Sequence, residues 1–265
     1  MEGQRGPVTV VSLLDDLRAL GVEAGMTLVV HSSLSAIGWV SGGAQAVVLA
    51  LQDALGPDGT LVVPTHSSHL SEPSLWQHPP LPDDAWLPAV RASMPAYDPY
   101  LTPTRKMGAI VDAFLLQRDV QRSGHPQHSF AARGPRATEI TARHELAYGL
   151  GTGPLATVYD LDGWVLLLGV THANNTSLHL AEFRSGTRPH QAQGAPVLVD
   201  GRREWVTFDD IDGDADAFDA LGVDFARETG LERVGSVGRA TGRLMPQRAL
   251  VDYGVEWLRR MPNGH

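Results

Sequence analysis

Two histidines seven residues apart, His172 and His179, and an acid three residues later, Glu182, stand in the stretch "WVLLLGVTHANNTSLHLAEFR" from Trp164 to Arg184. These residue types allow a metal site, a nucleophile with its base, a general base acting alone, or a capped helix. Metal spacing fails. Zinc peptidases carry H-E-x-x-H, with ligands at i and i+4, and "HLAE" runs H-x-x-E, the reverse of the E-x-x-H element of di-iron bundles. The acidic run "DDIDGDADAFD", Asp209 to Asp219, fails as a calcium loop too. Started at Asp210 it places Asp212 and Asp214 as ligands, but Ala215 falls where glycine is required and Leu221 where the bidentate glutamate belongs. No metal is expected. Most of these aspartates suit a solvated helix start, where the macrodipole favours acids; Asp210 and Asp212, nearest the preceding strand, are functional candidates.

Other chemistries fall away by composition and motif. The chain has no cysteine, which removes thiolate metal sites and thiol nucleophiles. It has no G-x-S-x-G elbow and no G-x-x-x-x-G-K-[ST] loop, and "GTGPLA", Gly151 to Ala156, follows a helical segment rather than the strand a dinucleotide turn needs. What remains is His, Asp, Glu, Ser or Thr. "HANNTS" is turn material in which Asn174, Asn175 or Thr176 can cap the helix "SLHLAEFR", and amides at that helix start could hold an oxyanion. His179 then lies about one turn inside the helix. A lone helical histidine is ordinarily a hydrogen-bonded core residue. Here the polar strand end at His31 to Ser33, the loop "GHPQHSF" and the Asp210/Asp212 pair coincide with it, which favours function. His172 stays open between backbone bonding and chemistry.

These groups need elements to position them. Residues 10 to 20, "VVSLLDDLRAL", have helical apolar spacing, and "TLVVHSSL" is a buried strand run ending in polar residues. A helix "SGGAQAVVLALQDALG" and a strand "TLVVP" follow, which is βαβ grammar and predicts a largely parallel sheet with functional groups at strand C-terminal ends. From Thr65 to Pro103 there is no sustained period, and such a length suits a loop or lid rather than a connector. "RKMGAIVDAFLLQR" is helical, Trp164 to Val170 is a buried strand, and "APVLVDGRREWVTF" reads as a hairpin turning at Asp200 and Gly201. The helix "DADAFDALGVDFARETG", a short strand in "LERVGSVGRA" and the amphipathic helix "PQRALVDYGVEWLRR" close the chain.

The whole chain sets bounds on partners. Its 265 residues and 43% apolar content predict a single domain over 1–265. A net charge of −9, from 21 basic and 30 acidic residues, argues against nucleic-acid and membrane partners and would draw in a cation. With no secretory apolar region near Met1 and no run of membrane-spanning length, a cytoplasmic location is expected.

Four segments, "TLVVHSSLSAIGWVSGGAQAV", "RSGHPQHSFAARG", "LLLGVTHANNTSLHLAE" and "VGRATGRLMPQRALVDYGVEWL", together resemble the aminoglycoside 3-N-acetyltransferase (antibiotic N-acetyltransferase) family, in order and over nearly the whole chain. The resemblance implies a three-layer α/β/α sandwich distinct from the GCN5-related fold. It implies acetyl transfer from acetyl-CoA to the 3-amino group of 2-deoxystreptamine, conferring aminoglycoside resistance, with no metal; the sequence leaves monomer and homodimer both open. Carried over, His179 is similar to the family's catalytic base, Asp210 and Asp212 to its carboxylate partners or amine ligands, and Thr176 to a group near the thioester oxygen. His31, Ser32, Ser33, Arg122, His125, Ser129 and Phe130 resemble CoA-binding elements.

The chemistry agrees: an ammonium has no lone pair, so a base must take a proton, and histidine with an ordinary pKa of about 6.5 suits that near neutrality. Glu72, Asp83, Asp84 and Glu182 join Asp210 as expected drug-side acids. Alternatives are an acyltransferase of the same fold acting on a different amine, a hydrolase using His179 and Asp212 to activate water, and a protein that binds the drug without acetylating it.

Overall fold

The structure, a computed structural model, describes residues 6–261. The chain begins with helix α1 (Val10–Leu20), capped by Thr9, and strand β1 (Thr27–Ser32). A single helical turn α2 (Leu34–Ile37), helix α3 (Gly43–Leu55) and strand β2 (Thr60–Pro64) follow. Next come α4 (Leu87–Ser93), α5 (Ala109–Leu115), β3 (Gln121–Arg122) and β4 (Phe130–Arg133). Short helices α6 (Ala137–Thr141), α7 (Gly149–Thr152) and α8 (Pro154–Asp160) lead to β5 (Trp164–Leu168) and α9 (Ser177–Ser185). The chain then forms β6 (His190–Val199), β7 (Arg202–Ile211), α10 (Phe218–Thr229), β8 (Arg233–Val237), β9 (Ala240–Pro246) and α11 (Gln247–Arg260).

Alternation along the strands builds the three layers. Leu28, Val30, Leu61, Val63, Leu166 and Leu168 pack into one core with α1, α3 and α5. Their neighbours Val29, Val62, Val165 and Leu167 pack into a second core with α8, α9, α10 and α11. Side chains of successive strand residues point to opposite faces, so a strand whose every position is apolar must be covered on both sides, and this one is.

The sheet order is β3-β4-β2-β1-β5-β9-β8. Only β1 with β2 and β1 with β5 are parallel; the β2–β4, β3–β4, β5–β9 and β8–β9 pairs are antiparallel. The expectation of a largely parallel sheet is therefore corrected to a parallel centre of three strands with antiparallel flanks. The outer strands were hidden because "FAAR" is four residues long and "ATGRLMP" interrupts its apolar positions with Gly242 and Arg243. The placement of functional groups survives: β1 has β2 on one side and β5 on the other, so its C-terminal end opens at a topological switch point, where α/β sheets bind ligands.

β6 and β7 form a separate two-stranded ribbon of ten residues a side. Asp200 and Gly201 at its tip have φ of 49° and 75°, the left-handed pair that a two-residue type I′ hairpin requires. The 65–103 segment clamps onto this ribbon. Tyr97 N–H donates to the Pro196 carbonyl at 3.1 Å, and Arg203 donates to the carbonyls of Met94, at 2.9 Å, and Arg91.

His172 is not at the switch point. Its Nε2 lies 2.8 Å from Glu232, whose other oxygen takes the half-buried Arg243 at 2.9 Å, and His172 itself is buried. Removing one member of such a buried pair costs about 3–5 kcal/mol. His172→Ala is expected to lower the unfolding free energy by about 3 kcal/mol in a urea titration; an unchanged midpoint would mean that the bond contributes nothing.

Candidate active site

The site is built on α9. His179 and Glu182 are three residues apart, hence on one helical face, and His179 Nδ1 lies 2.6 Å from Glu182 Oε2. Glu182 is fully buried. Its other oxygen receives Arg188 Nε at 2.5 Å and the Asp214 amide at 3.3 Å, and Arg188 is paired in turn with Asp214 at 2.6 Å. A buried carboxylate with acceptor-only chemistry fixes the histidine's proton on Nδ1 and leaves Nε2 as the basic nitrogen. The ring of Phe218, wholly buried, meets His179 edge-on at 4.9 Å. Gly213 closes over the pair: a Cβ there would stand 2.8 Å from Glu182 Oε2 and 3.3 Å from His179 Nδ1, so the chain can pass this close only without a side chain.

Two cavities flank this helix. One, of about 210 Å³, is lined by His128, Leu150, Gly151, His179, Phe183, Gln191, Gln193, Asp210, Ile211, Asp212 and Gly213. The other, of about 90 Å³, lies at the ends of β1, β2 and β5, with His31, Ser32, Pro64, His66, Lys106, Met107 and Thr176 in its wall. Thr176, the cap residue of α9, and His179 are three residues apart, so one lines the smaller cavity and the other the larger within a single helical turn. Charge divides between them. Asp210 and Asp212 face the larger, while the smaller has Lys106, the only lysine in the sequence.

Several expected roles change. Glu182, expected as a drug ligand, is the partner of His179 and has no face toward solvent. Asp210 and Asp212 do not bond to His179. Asp210 Oδ1 accepts its neighbour's amide, from Ile211, at 2.8 Å and Oδ2 stands 3.6 Å from His128, while Asp212 is exposed on the cavity rim. Glu72 is taken by Arg91 at 2.7 Å, and Asp83 caps the turn at Ala85, so Glu72, Asp83 and Asp84 brace the 65–103 segment or face solvent outside both cavities.

Of the expected CoA elements, His31 and Ser32 line the smaller cavity. Ser33 instead precedes α2 and bonds Ser35 at 3.1 Å. Arg122 spends its guanidinium on Thr65, Thr102 and Ser129. Ser129, His125 and Phe130 are fully buried behind the wall. The start of α9 is not an open amide cradle either: the Ser177 amide goes to Asn175 Oδ1, Leu178 to the Asn175 carbonyl, and His179 to the Thr176 carbonyl. The Thr176 hydroxyl, 3.4 Å from His31 Nε2, is what that turn presents.

Residues not anticipated from the sequence include His66, His128, Gln191, Gln193 and Arg188. His66 comes two residues after "TLVVP", near a strand end as His31 is after "TLVV", so the same strand-end rule points to it. Gln191 and Gln193 share a face of β6, Gln191 opposite Asp210. Their strand begins five residues before the apolar segment that reveals it, and Arg188 carries no sequence signal.

A model of the family described as aminoglycoside 3-N-acetyltransferase matches residues 29–259. The chain belongs to the aminoglycoside 3-N-acetyltransferase family. It is 42% identical over 259 residues, 97% of this chain and 94% of the other, to the SPbeta prophage-derived aminoglycoside N(3')-acetyltransferase-like protein YokD of Bacillus subtilis (strain 168). The crystal structure of YokD superposes with a TM-score of 0.93, covering 97% of this chain and 95% of that one. Aminoglycoside N(3)-acetyltransferase VII of Streptomyces paromomycinus is 37% identical over 270 residues, 96% of this chain and 92% of its own. The structure of AAC-IIIb in a binary complex with CoASH matches with a TM-score of 0.85 at 28% identity, over 96% of this chain and 97% of that one. The family thus carries the three-layer sandwich expected from the sequence.

Inside this family member four buried histidines are held well below their ordinary value. Burial, aided by the field of His179, lowers His31 to about 3. Burial with neighbouring His128 and His144 lowers His125 to about 2, and burial lowers His144 to about 3. His66 is lowered well below its ordinary value by burial and by His128, His179, His31 and His144. In the unfolded chain each would bind a proton at about pH 6.5. The folded state therefore binds fewer protons at acid pH, and stability, full above about pH 7, drains away as pH falls from 6.5 toward 3. Urea titrations are expected to show stability falling steeply between pH 7 and pH 5. A flat profile across that interval would contradict the neutral cluster.

Proposed function

We propose that this chain transfers acetyl from acetyl-CoA to the 3-amino group of the 2-deoxystreptamine ring of aminoglycosides, by direct attack with His179 as general base. The observation that carries the reading is the His179–Glu182 pair set between an acid-lined cavity and a second cavity at the switch point. The acidic cavity suits a polycation, with Asp210 and Asp212 as ligands for its ammonium groups and Gln191 and Gln193 for its hydroxyls. Its volume is on the scale of one polyhydroxylated ring rather than a whole drug. The smaller cavity suits the acyl end of the thioester, with Lys106 placed for the negative charge of CoA and His31 and Ser32 in the wall.

The sequence of events follows from the groups present. His179 Nε2 takes a proton from the ammonium, and Glu182 stabilises the imidazolium so formed. The amine nitrogen attacks the thioester carbonyl, the C–S bond breaks, and the second proton, released from the adduct nitrogen, neutralises the departing CoA thiolate while His179 returns its own proton to water. Neutral His31, aiming Nε2–H at Thr176 Oγ1, leaves the threonine hydroxyl free to donate to the carbonyl oxygen. No protein nucleophile enters the route. Each chain supplies every group named here, so a monomer holds a complete site. The 65–103 segment, clamped to the ribbon, braces the strands that carry Gln191, Gln193 and Asp210 within a single functional unit. Acetyl-CoA is made inside the cell, which supports action in the cytoplasm, and acetylating the drug there is the basis of resistance. Among the described residues no helix is long and apolar enough to cross a membrane.

Free-thiol release from acetyl-CoA is expected to depend on an aminoglycoside and to fall by about 10² or more in His179→Ala. Thiol release without any acceptor would make the chain a hydrolase. Asp212→Asn is expected to raise KM for the drug and leave KM for acetyl-CoA alone; equal effects on both would remove Asp212 from the drug side.

A further inference from the structure

The transfer proposed above builds negative charge on the thioester oxygen, and that charge needs more than one donor. The amides of the first turn of α9 are already bonded, as described, which leaves side chains to supply the donors. One side chain in the wall of the smaller cavity has an unspent polar atom: among the described residues, His66 Nε2 is out of solvent and has no hydrogen-bond partner. Leaving a buried donor or acceptor unpaired costs about 1–3 kcal/mol, a cost that a ligand atom placed opposite it would relieve.

The surroundings of His66 hold the ring and keep it uncharged. Its ring stands edge-on to Phe130 at 5.4 Å and to His128 at 5.6 Å. Its backbone carbonyl accepts the Arg105 amide at 2.8 Å, tying the end of β2 to the loop that carries Lys106. The titratable groups around it are His31, His128, His144 and His179; any positive charge on them disfavours a second on His66. A neutral imidazole keeps one N–H and can give a hydrogen bond without giving up a proton, an arrangement used elsewhere to polarise carbonyls.

We propose that His66 is a further catalytic residue of the transfer, donating its Nε2–H to the thioester carbonyl oxygen beside the Thr176 hydroxyl. This rests on the acetyltransferase reading of the site and deepens it. As the amine N–C bond forms, the carbonyl electrons move onto an oxygen held by two donors. When the C–S bond breaks they return, and His66 ends the cycle with the proton it began with. His179 alone gains and loses a proton. The division explains why two histidines serve one reaction: the one paired with a carboxylate is held with Nε2 as its acceptor, and the one among other histidines is kept neutral.

The test compares His66→Ala and His66→Gln, the second restoring an amide donor near the Nε2 position. Removing one oxyanion donor costs about 10²–10³ in kcat. His66→Ala is expected to lose about that much in kcat with little change in KM for either substrate, and to keep the wild-type shape of the pH–rate profile. His66→Gln is expected to recover a large part of the loss. A loss confined to KM for acetyl-CoA, a kcat close to wild type in His66→Ala, or a glutamine variant no better than alanine would overturn the proposal.

A second measurement does not need turnover or a variant. In wild-type protein with 15N-labelled histidine, the His66 imidazole is expected to stay neutral from pH 5 to 9 as far as the fold persists. It is expected to shift as an Nε2–H donor when a non-transferring ketone analogue of acetyl-CoA binds. A His66 signal that does not respond to bound analogue would overturn the donor role. A wild type that binds the analogue with the expected shift but acetylates no aminoglycoside would instead sink the substrate reading and leave the donor role standing.

Discussion

A fully buried glutamate fixes the geometry of this site. Glu182 has no contact with water, and an uncompensated carboxylate there would be costly. It is compensated by His179 on one oxygen and by Arg188 and the Asp214 amide on the other. Those bonds dictate the surroundings. The amide of Asp214 reaches in because Gly213 lets the chain pass against the imidazole, and that path sets Asp212 on the rim of the cavity that His179 faces. The same carboxylate therefore orients the base and shapes the wall opposite it.

The switch point supplies the other half of the arrangement. Strands β1, β2 and β5 end together, and each releases a polar residue there: His31, His66 by way of Thr65, and Thr176 through the turn after β5. Apolar strands covered on both faces leave nowhere else for such groups to gather. Burial keeps these histidines neutral, while the carboxylate partner orients the His179 ring. One residue type thus lines both cavities, paired with a carboxylate in one and neutral in the other. The separation of charge, with acids on the ribbon side and the single lysine on the strand-end side, matches a cationic acceptor and an anionic donor approaching from different directions.

Much of this was legible in the sequence where a local signal exists. The apolar runs gave β1, β2 and β5, helical spacing gave α1 over the same residues, and Asp200-Gly201 gave the hairpin turn. His179 stood out because a polar cluster follows a buried strand. Its partner is equally visible, three residues on, yet an i,i+3 acid on a helix face reads as surface until burial is known, so the sequence groups Glu182 with the drug-side acids. Arg122, His125, Ser129 and Phe130 look like a binding loop by composition. In the structure His125, Ser129 and Phe130 are buried and the half-buried Arg122 is drawn to the carbonyls of Thr65 and Thr102, contacts between residues far apart in the chain. The ribbon's approach to α9, which brings Asp210, Gln191 and Gln193 into one cavity, is tertiary and leaves no periodic trace.

If Glu182 acts only through His179, the two cannot contribute independently. The direct test is a double-mutant cycle on kcat/KM with His179→Ala, Glu182→Gln and the combined variant, alongside unfolding curves to confirm folding. Residues that act as a unit are strongly non-additive. The expected result is a combined variant no slower than His179→Ala alone, with Glu182→Gln slow by itself. A combined loss equal to the product of the two single losses would mean that Glu182 reaches the reaction by some route other than the histidine, and would contradict the central claim.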